Sequence, residues 1–416
     1  MSDPTPASRF RFIPFRKQDV VEMCLREGRL SDQTDTFRHL NHLLASIYHF
    51  EFQHTIEALK SSYAAVDPDT DTRFIASAES ADPAEFATLL GQLLEKANYE
   101  RISESDLNTA LTEASLFKIR LHVDFTDFAE VLLFCRGESV RQEAVPTWFG
   151  LRSKTITFTN YERVVVYIRF RPDYTRTEDQ LHSCKPGSTL LKLFQNVPKA
   201  DLEMLFPNTR IRMRLIDKLV IGVPAVIGGG IVLTTKLGAS LILLGSLFGL
   251  WLGLRTEEVE FNQTAMIALL AGLVALGSFL WKQFDAFKNR KLRFMQTLTR
   301  NLYFKNLDNN AGVFHRLIND AEEEECKEAM LAYYFLLVSD RPLTRTELDE
   351  RIESWLATKW NCEVDFEIDD AIAKLEELGL TRESNAQFSA VSMQSALEKL
   401  NRRWDDYFVP PSPNEV

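Results

Sequence analysis

LVIGVPAVIGGGIVLTT (219–235), LGASLILLGSLFGLWLGL (237–254) and AMIALLAGLVALGSFLW (265–281) follow one another with no acidic or basic residue inside any of the three runs. As α-helices, the second and third would each be roughly 26 Å long, close to a hydrocarbon core of about 30 Å. In the second run, eight Leu with Ile242 and Phe248 outweigh the small costs of Gly and Ser, because each such residue favours insertion by about 0.3 to 0.6 kcal/mol. The first run is interrupted by Pro224 and by Gly228, Gly229 and Gly230, and Lys236 alone separates it from the second. Pro and Gly are the residues least suited to a helix interior.

The charges around these runs suggest how many times the chain would cross. Arg210, Arg212, Arg214 and Lys218 precede them; Lys282, Lys288, Arg290, Lys291 and Arg293 follow; the connector between the second and third holds Arg255 against Glu257, Glu258 and Glu260. Lys and Arg concentrate on the cytoplasmic side of membrane helices, so both basic ends belong on one side and the connector on the other. The expectation is a transmembrane region at 219–281 built as a helical hairpin, with two crossings, or three if 219–235 also crosses. Gly245, Gly249 and Gly253 recur at every fourth position, a spacing that permits close helix approach. It suits packing within the hairpin or a homo-oligomer through the same Gly face. Trp251 and Trp281 fall near opposite interfaces in this arrangement, as membrane aromatic residues prefer.

Composition narrows the class. With 416 residues, 45% hydrophobic, 26% charged and a net charge of -11, the chain is no disordered tail, collagen-like fibre or many-span transporter. The acidic balance disfavours nucleic acid as a partner. Five Cys without a C-x-x-C pair imply neither a disulfide framework nor a thiolate zinc site, and suit a reducing compartment. The opening MSDPTPASRFRFIPFRK lacks the apolar core of a secretory signal, and Asp3 argues against a transit peptide. G-K-S/T, G-x-S-x-G and H-E-x-x-H are all absent from the sequence, so no enzyme activity, catalytic residue or cofactor is expected.

Ahead of the apolar runs, residues 1–185 read as an N-terminal α+β domain. Helical spacing covers 18–60 and, with Phe86, Leu89, Leu90, Leu93 and Leu94, a second stretch. Ile119, Leu121, Val123 and Phe125 then alternate with Arg120, His122 and Asp124, and further strands are expected at 154–158 and 163–170. His39, His42, His49, Glu51 and His54 contain one E-x-x-H. Di-metal sites on paired helices use two, so these residues read as a His-rich helix flank and no metal site is expected. Arg9, Arg11, Arg16 and Lys17 interleave with Phe10, Phe12 and Phe15, suiting a solvated edge strand or anionic headgroups. Residues 186–218 form a membrane-proximal linker with a short helix ended by Pro207.

Residues 282–408 read as a C-terminal domain. Glu322 to Glu325 lead into a helix carrying Met330, Leu331, Tyr333, Tyr334, Leu336 and Leu337; Thr344 with Glu347 makes a capping box, and Gly379 stops a third helix. A strand at 387–391 and a helix at 393–408 follow. Three helices and a short β element resemble a winged helix. The third helix region, however, carries Glu363, Asp365, Glu367, Asp369, Asp370, Glu376 and Glu377 against Lys374. Phosphates would repel it, so a protein-interaction module is expected. The tail 409–416 is Pro-rich and expected to be disordered.

The motifs FIPFRKQDVVEMCL (12–25), YERVVVYIRF (161–170), NVPKADLEMLFPNTRIRMRLIDKLVIGVPAVIGG (196–229), KLGASLILLGSLFGLWLGL (236–254) and ALEKLNRRWDDYF (396–408) resemble the family called domain of unknown function 3754, to which the eukaryotic transmembrane protein 143 belongs. That resemblance implies an integral membrane location, mitochondrial in animal members, and brings no catalytic residue. Together these readings lead to the expectation of a non-enzymatic integral membrane protein of the bacterial plasma membrane, with both termini cytoplasmic. It is expected to anchor protein-interaction domains at the bilayer; the alternative is a homo-oligomeric transport or lipid-perturbing protein.

Overall fold

Leu40, Leu44, Ile47, Leu59 and Tyr63 are fully buried along one stripe of a helix, while Val164 to Ile168 are buried in an unbroken row along a strand. These two patterns organise the protein. The computed structural model describes residues 10–64, 66–68, 83–103, 105, 107, 120–147, 152–174, 186–212, 245, 248, 251–253 and 263–408. They divide into two units: Met1–Ala114, Asp124–Asn208 and Lys305–Val416 form the first, and Ser115–Val123 with Thr209–Phe304 the second.

In the first unit, helices α1 (Lys17–Arg26), α2 (Thr34–Tyr63) and α3 (Pro83–Lys96) precede a five-stranded antiparallel sheet. Its order is β1 (Glu100–Arg101), β3 (Phe128–Thr147), β4 (Arg152–Phe170), β5 (Thr189–Pro198) and β7 (Asn306–Asn309). Strand β2 (Arg120–His122) belongs to the second unit, where it pairs with β6 (Arg210–Arg212). The strands expected at 154–158 and 163–170 are one continuous β4, paired with β3 from Phe170 opposite Phe128 to Arg152 opposite Thr147.

Both sides of β4 are covered, which is why its sequence VVVYI does not alternate with polar residues. Val165 and Tyr167 join the helical core. On the other side lie Leu202, Met204, Leu205 and Phe206 of a 3-10 turn at Lys199–Leu205 and its exit, with Phe206 stacked on Phe128 at 6.0 Å. The short helix expected before Pro207 is this turn.

After β7 come α5 (Ala311–Leu337), α6 (Arg345–Trp360), α7 (Ile368–Glu377), the hairpin β8 (Thr381–Ser384) with β9 (Gln387–Ala390), and α8 (Met393–Asp406). The capping box expected at Thr344 is present in both directions: Thr344 Oγ1 accepts from the Glu347 N–H, and Glu347 accepts from the Thr344 N–H at 2.9 Å. Gly379, at φ +65°, ends α7 in the left-handed conformation that Gly adopts without steric cost. Helix α5 is 27 residues long and packs against α1, α2, α3, α6 and α7. Of the regions expected as an N-terminal domain, 1–185, and a winged-helix-like C-terminal domain, 282–408, the parts that belong to the first unit share one hydrophobic core through α5, whereas 115–123 and 282–304 belong to the second unit.

The second unit contains β2, β6 and α4 (Gln263–Lys305), a helix of 43 residues. Here the expected α+β membrane protein with a central transmembrane hairpin is corrected. The fold is mixed α/β around an antiparallel sheet, and among the described residues no helix is long and apolar enough to cross a membrane. The apolar run 265–281 is 17 residues, at the lower limit of the about 17 to 25 that crossing helices use. It is no separate helix: α4 continues directly through Lys282, Lys288, Arg290, Lys291 and Arg293. Of the Gly series, Gly253 sits at φ +69°, outside helical geometry, so it does not continue a helical stripe from Gly245. Gly249, the run 219–235, most of 237–254 and the tail 409–416 lie outside the described residues.

Phe314 on α5 is buried against Tyr63 and Phe86, at ring distances of 5.7 and 6.3 Å. Phe314→Ala is expected to cost about 3–5 kcal/mol of unfolding free energy, and Thr344→Ala, which removes the cap, about 1 kcal/mol. Urea denaturation of the full-length chain measures both.

Candidate functional site

DAEEEECKE (320–328) would ordinarily be a solvated helix face, yet Asp320, Glu322, Glu324, Glu325, Lys327 and Glu328 are all buried in the middle of α5. Buried charges persist only when paired and hydrogen-bonded. The partners come from the segment ahead of α1, from α1 and α2, from Asn98 and Tyr99, from the sheet and from α7.

The segment Phe10 to Lys17 is held along one side. Glu324 accepts a hydrogen bond from the Ile13 N–H at 3.1 Å, and Lys327 donates to the Ile13 and Phe15 carbonyls at 2.6 and 3.1 Å and to Glu324 at 2.9 Å. Lys17 pairs with Glu322 at 2.8 Å and Glu323 at 3.4 Å, and its N–H donates to Glu323. Asn98 spans two elements, donating to Glu328 at 2.7 Å and to the Arg11 carbonyl at 3.0 Å. At the far end, Phe10 exchanges backbone hydrogen bonds with Glu363 and Asp365 at 2.9 and 2.7 Å, and Arg11 pairs with Glu367.

Asp320 faces the sheet. It accepts from the Tyr99 hydroxyl at 3.2 Å and pairs with Arg163, while Arg136 lies 3.8 Å from it and 3.9 Å from Glu324. The Arg136 guanidinium also stacks over Phe12 at 4.5 Å and Tyr99 at 5.2 Å, so its charge is met by aromatic faces as well as carboxylates. On the opposite side Lys374 of α7 reaches Glu328 at 2.6 Å, Asp370 at 2.7 Å and Glu325 at 3.0 Å.

These surroundings move several pKa values. Burial pushes the Glu328 carboxyl up, Lys374 and Asn98 pull it back, and the result is about 7. Burial raises Glu325 as well, against the pull of Lys374. For Lys374 burial acts downward, but Glu328, Glu325 and Asp370 outweigh it and hold the ammonium well above its ordinary value. Burial lifts the Cys326 thiol to about 12, so it is protonated at neutral pH. The arrangement acts as a clamp that fixes a peptide backbone between α5 and the sheet.

The His-rich flank of α2 does not converge. His49 Nδ1 lies 2.8 Å from Glu322, Glu51 pairs with Arg403 at 2.7 Å and accepts from Tyr407, and His54 lies edge-on to Phe50 at 5.6 Å. His39 and His42 are exposed. Among the described residues no group of three or more His, Cys, Asp or Glu is arranged to hold a metal ion. The clamp residues Asn98, Arg136, Arg163 and Lys327 carry no sequence motif. The one available sign was Lys327 three residues after Glu324 within a helix otherwise rich in Ala, Tyr and Leu.

Residues 161–312 match the family described as Protein of unknown function (DUF3754). The chain carries a domain of that family. The DUF3754 match spans most of the β4 residues that pair with β5, then β5, α4, β7 and the first two residues of α5. It contains Arg163 and stops before the acidic run. No solved structure matches the chain.

The Glu328 carboxyl rises on folding from its ordinary 4.5 to about 7. The folded state therefore binds this proton more tightly, and the group's contribution to stability falls as pH rises between those values. Against Glu328→Gln, the wild-type advantage in urea unfolding free energy is expected to decline across this window and level off above it. A difference that stays constant with pH there would show that Glu328 is not the titrating group.

Proposed function

We propose that the chain is a non-enzymatic, membrane-attached protein whose second unit binds a lipid bilayer surface through α4 and whose first unit offers the acidic face of α7 to a basic protein partner. The observation that carries this reading is the surface of α4. Met266, Ile267, Leu270, Val274, Leu280, Trp281 and Phe284 are each more than half exposed. At 3.6 residues per turn they fall within about 140° of the helix circumference, so they form one apolar face. Phe248, Trp251 and Leu252 add exposed apolar surface in the same unit. A contiguous patch of this kind marks an interaction site.

Its charge pattern favours lipid as the occupant. The apolar face ends at Phe284, with exposed Lys282 two residues before it and Lys288 four residues after it, and Arg290, Lys291 and Arg293 next in sequence. Trp and a basic cluster bordering an apolar helix face match the interfacial and headgroup layers of an anionic membrane. Attachment by this face needs no crossing helix.

The acidic surface has a simple origin. Lys374 is the one basic residue of α7, and it is buried against Glu325 and Glu328, leaving Asp369, Asp370, Glu376 and Glu377 exposed.

Full-length protein mixed with vesicles of phosphatidylcholine and phosphatidylglycerol, freed of detergent and spun through a density gradient, is expected to float with the lipid. The double variant Leu270→Glu, Val274→Glu is expected to stay at the bottom. Wild-type protein that remains there too would overturn the reading.

A further inference from the structure

In the first unit β5 stops at Pro198, opposite Asn160 of β4, where the missing N–H interrupts the ladder. Strands β3 and β4 run on without it, from Ser139 opposite Asn160 to Thr147 opposite Arg152, while β1 reaches only Phe134 and Cys135. Among the described residues, 152–159 of β4 therefore belong to a two-stranded ribbon, about 27 Å long at 3.4 Å per residue. We propose that the outer edge of this ribbon is an interface for a second copy of the chain, which adds its own β4 antiparallel to the first and centred on Ile156.

A two-stranded ribbon alone is marginally stable in water, and a third strand is what makes such a pairing hold. The direction of the backbone groups shows that β4 can take one. Ile102 donates to the Leu133 carbonyl at 2.9 Å, so Leu133 turns its N–H and C=O away from β4. Val166 stands opposite Leu133 and turns its own away from β3. The register is regular from Val166 to Arg152, so every even-numbered residue of β4 points its backbone groups outward. Lys154, Ile156 and Phe158 thus present N–H and C=O groups that neither β3 nor β5 takes.

The residues along the two edges of the ribbon select the occupant. The outer edge of β3 carries Arg141 and Glu143 in mid-strand, and charges there guard an edge against further pairing. From Thr155 to Asn160, β4 carries no charge and alternates Thr with Ile156 and Phe158, residue types that favour sheets. Thr155 and Thr157 are exposed. Laid antiparallel on itself about Ile156, this edge sets Thr155 opposite Thr157, Ser153 opposite Thr159 and Lys154 opposite Phe158. Hydroxyl residues meet hydroxyl residues and no two like charges meet, which are the pairings that stabilise neighbouring strands. A two-fold contact requires this kind of self-complementarity, and β4 has it without any other chain.

Light scattering behind size-exclusion chromatography, on full-length protein in mild detergent over a dilution series, is expected to show a dimer that dissociates on dilution. Ile156→Pro removes an outward N–H, which an open edge tolerates. It is expected to raise the dimer dissociation constant about tenfold or more, because both central hydrogen bonds are lost. Ile156→Cys tests the register without depending on how the proline variant folds. Residues directly opposite each other in a hydrogen-bonded pair have Cα atoms about 5.5 Å apart, within disulfide reach. Mild oxidation is expected to convert Ile156→Cys to a covalent dimer beyond any seen in the wild type, and to leave Gln142→Cys, on β3, as the wild type is. A wild-type chain that stays monomeric throughout the series, or a dimer that gives no added cross-link through Ile156→Cys, would overturn the proposal. So would a dimer that survives Ile156→Pro and is lost in Leu270→Glu, Val274→Glu, which would place the contact on α4.

Discussion

Lys327 and Glu324, one helical turn apart on α5, hold the backbone of Ile13 by its carbonyl and its N–H, and the rest of the first unit depends on that grip. The lysine brings a positive charge into a nearly water-free core, where it is tolerable only beside Glu324 and two carbonyl oxygens. Removing one member of a buried pair typically costs 3–5 kcal/mol, because the other is left charged and unpaired; replacing both by apolar groups of the same volume is often neutral. The ionic clamp therefore gains the fold little net energy over an apolar alternative. Its contribution is position: only one register of the segment Phe10 to Lys17 satisfies Glu324, Lys327, Asn98 and Lys17 together. Phe12 is thereby placed under Arg136, and Phe10 beside Val364.

The same logic explains why α5 can be so acidic and yet central. Its charges leave in three directions: to the N-terminal segment, to Arg136 and Arg163 of the sheet, and to Lys374 of α7. The remaining face of the helix is apolar, with Phe314, Leu317, Met330, Leu331, Tyr333 and Tyr334 buried in the common core. Helix α5 thus works as a shared spine. The N-terminal segment, the sheet and α7 meet it through directional contacts as well as packing, which fixes spacing and orientation at once.

How much of this was legible in the sequence depends on whether the signal was local. The 3.6-residue period of α2, the Thr344 and Glu347 capping box, the Gly379 stop and the VVVYI strand each lie within a few residues of one another, and the structure has all of them. The burial of the acidic run is not legible in the sequence because its countercharges are distant: Arg163 stands 157 residues from Asp320, and Lys17 stands 305 from Glu322. No window of sequence shows that a helix will be surrounded on all sides. The expected hairpin failed for a related reason. Apolar content was read run by run, whereas α4 continues across the boundary between apolar and basic residues as one helix, so hydropathy did not mark where an element ends.

The order of strands constrains any account of the second unit. Strand β5 ends at Pro198, the chain departs after Asn208, and it comes back as β7 to pair with the same β5, Lys192 opposite Asn309. Everything from Thr209 to Phe304 is consequently an insertion between two segments that lie side by side in one sheet.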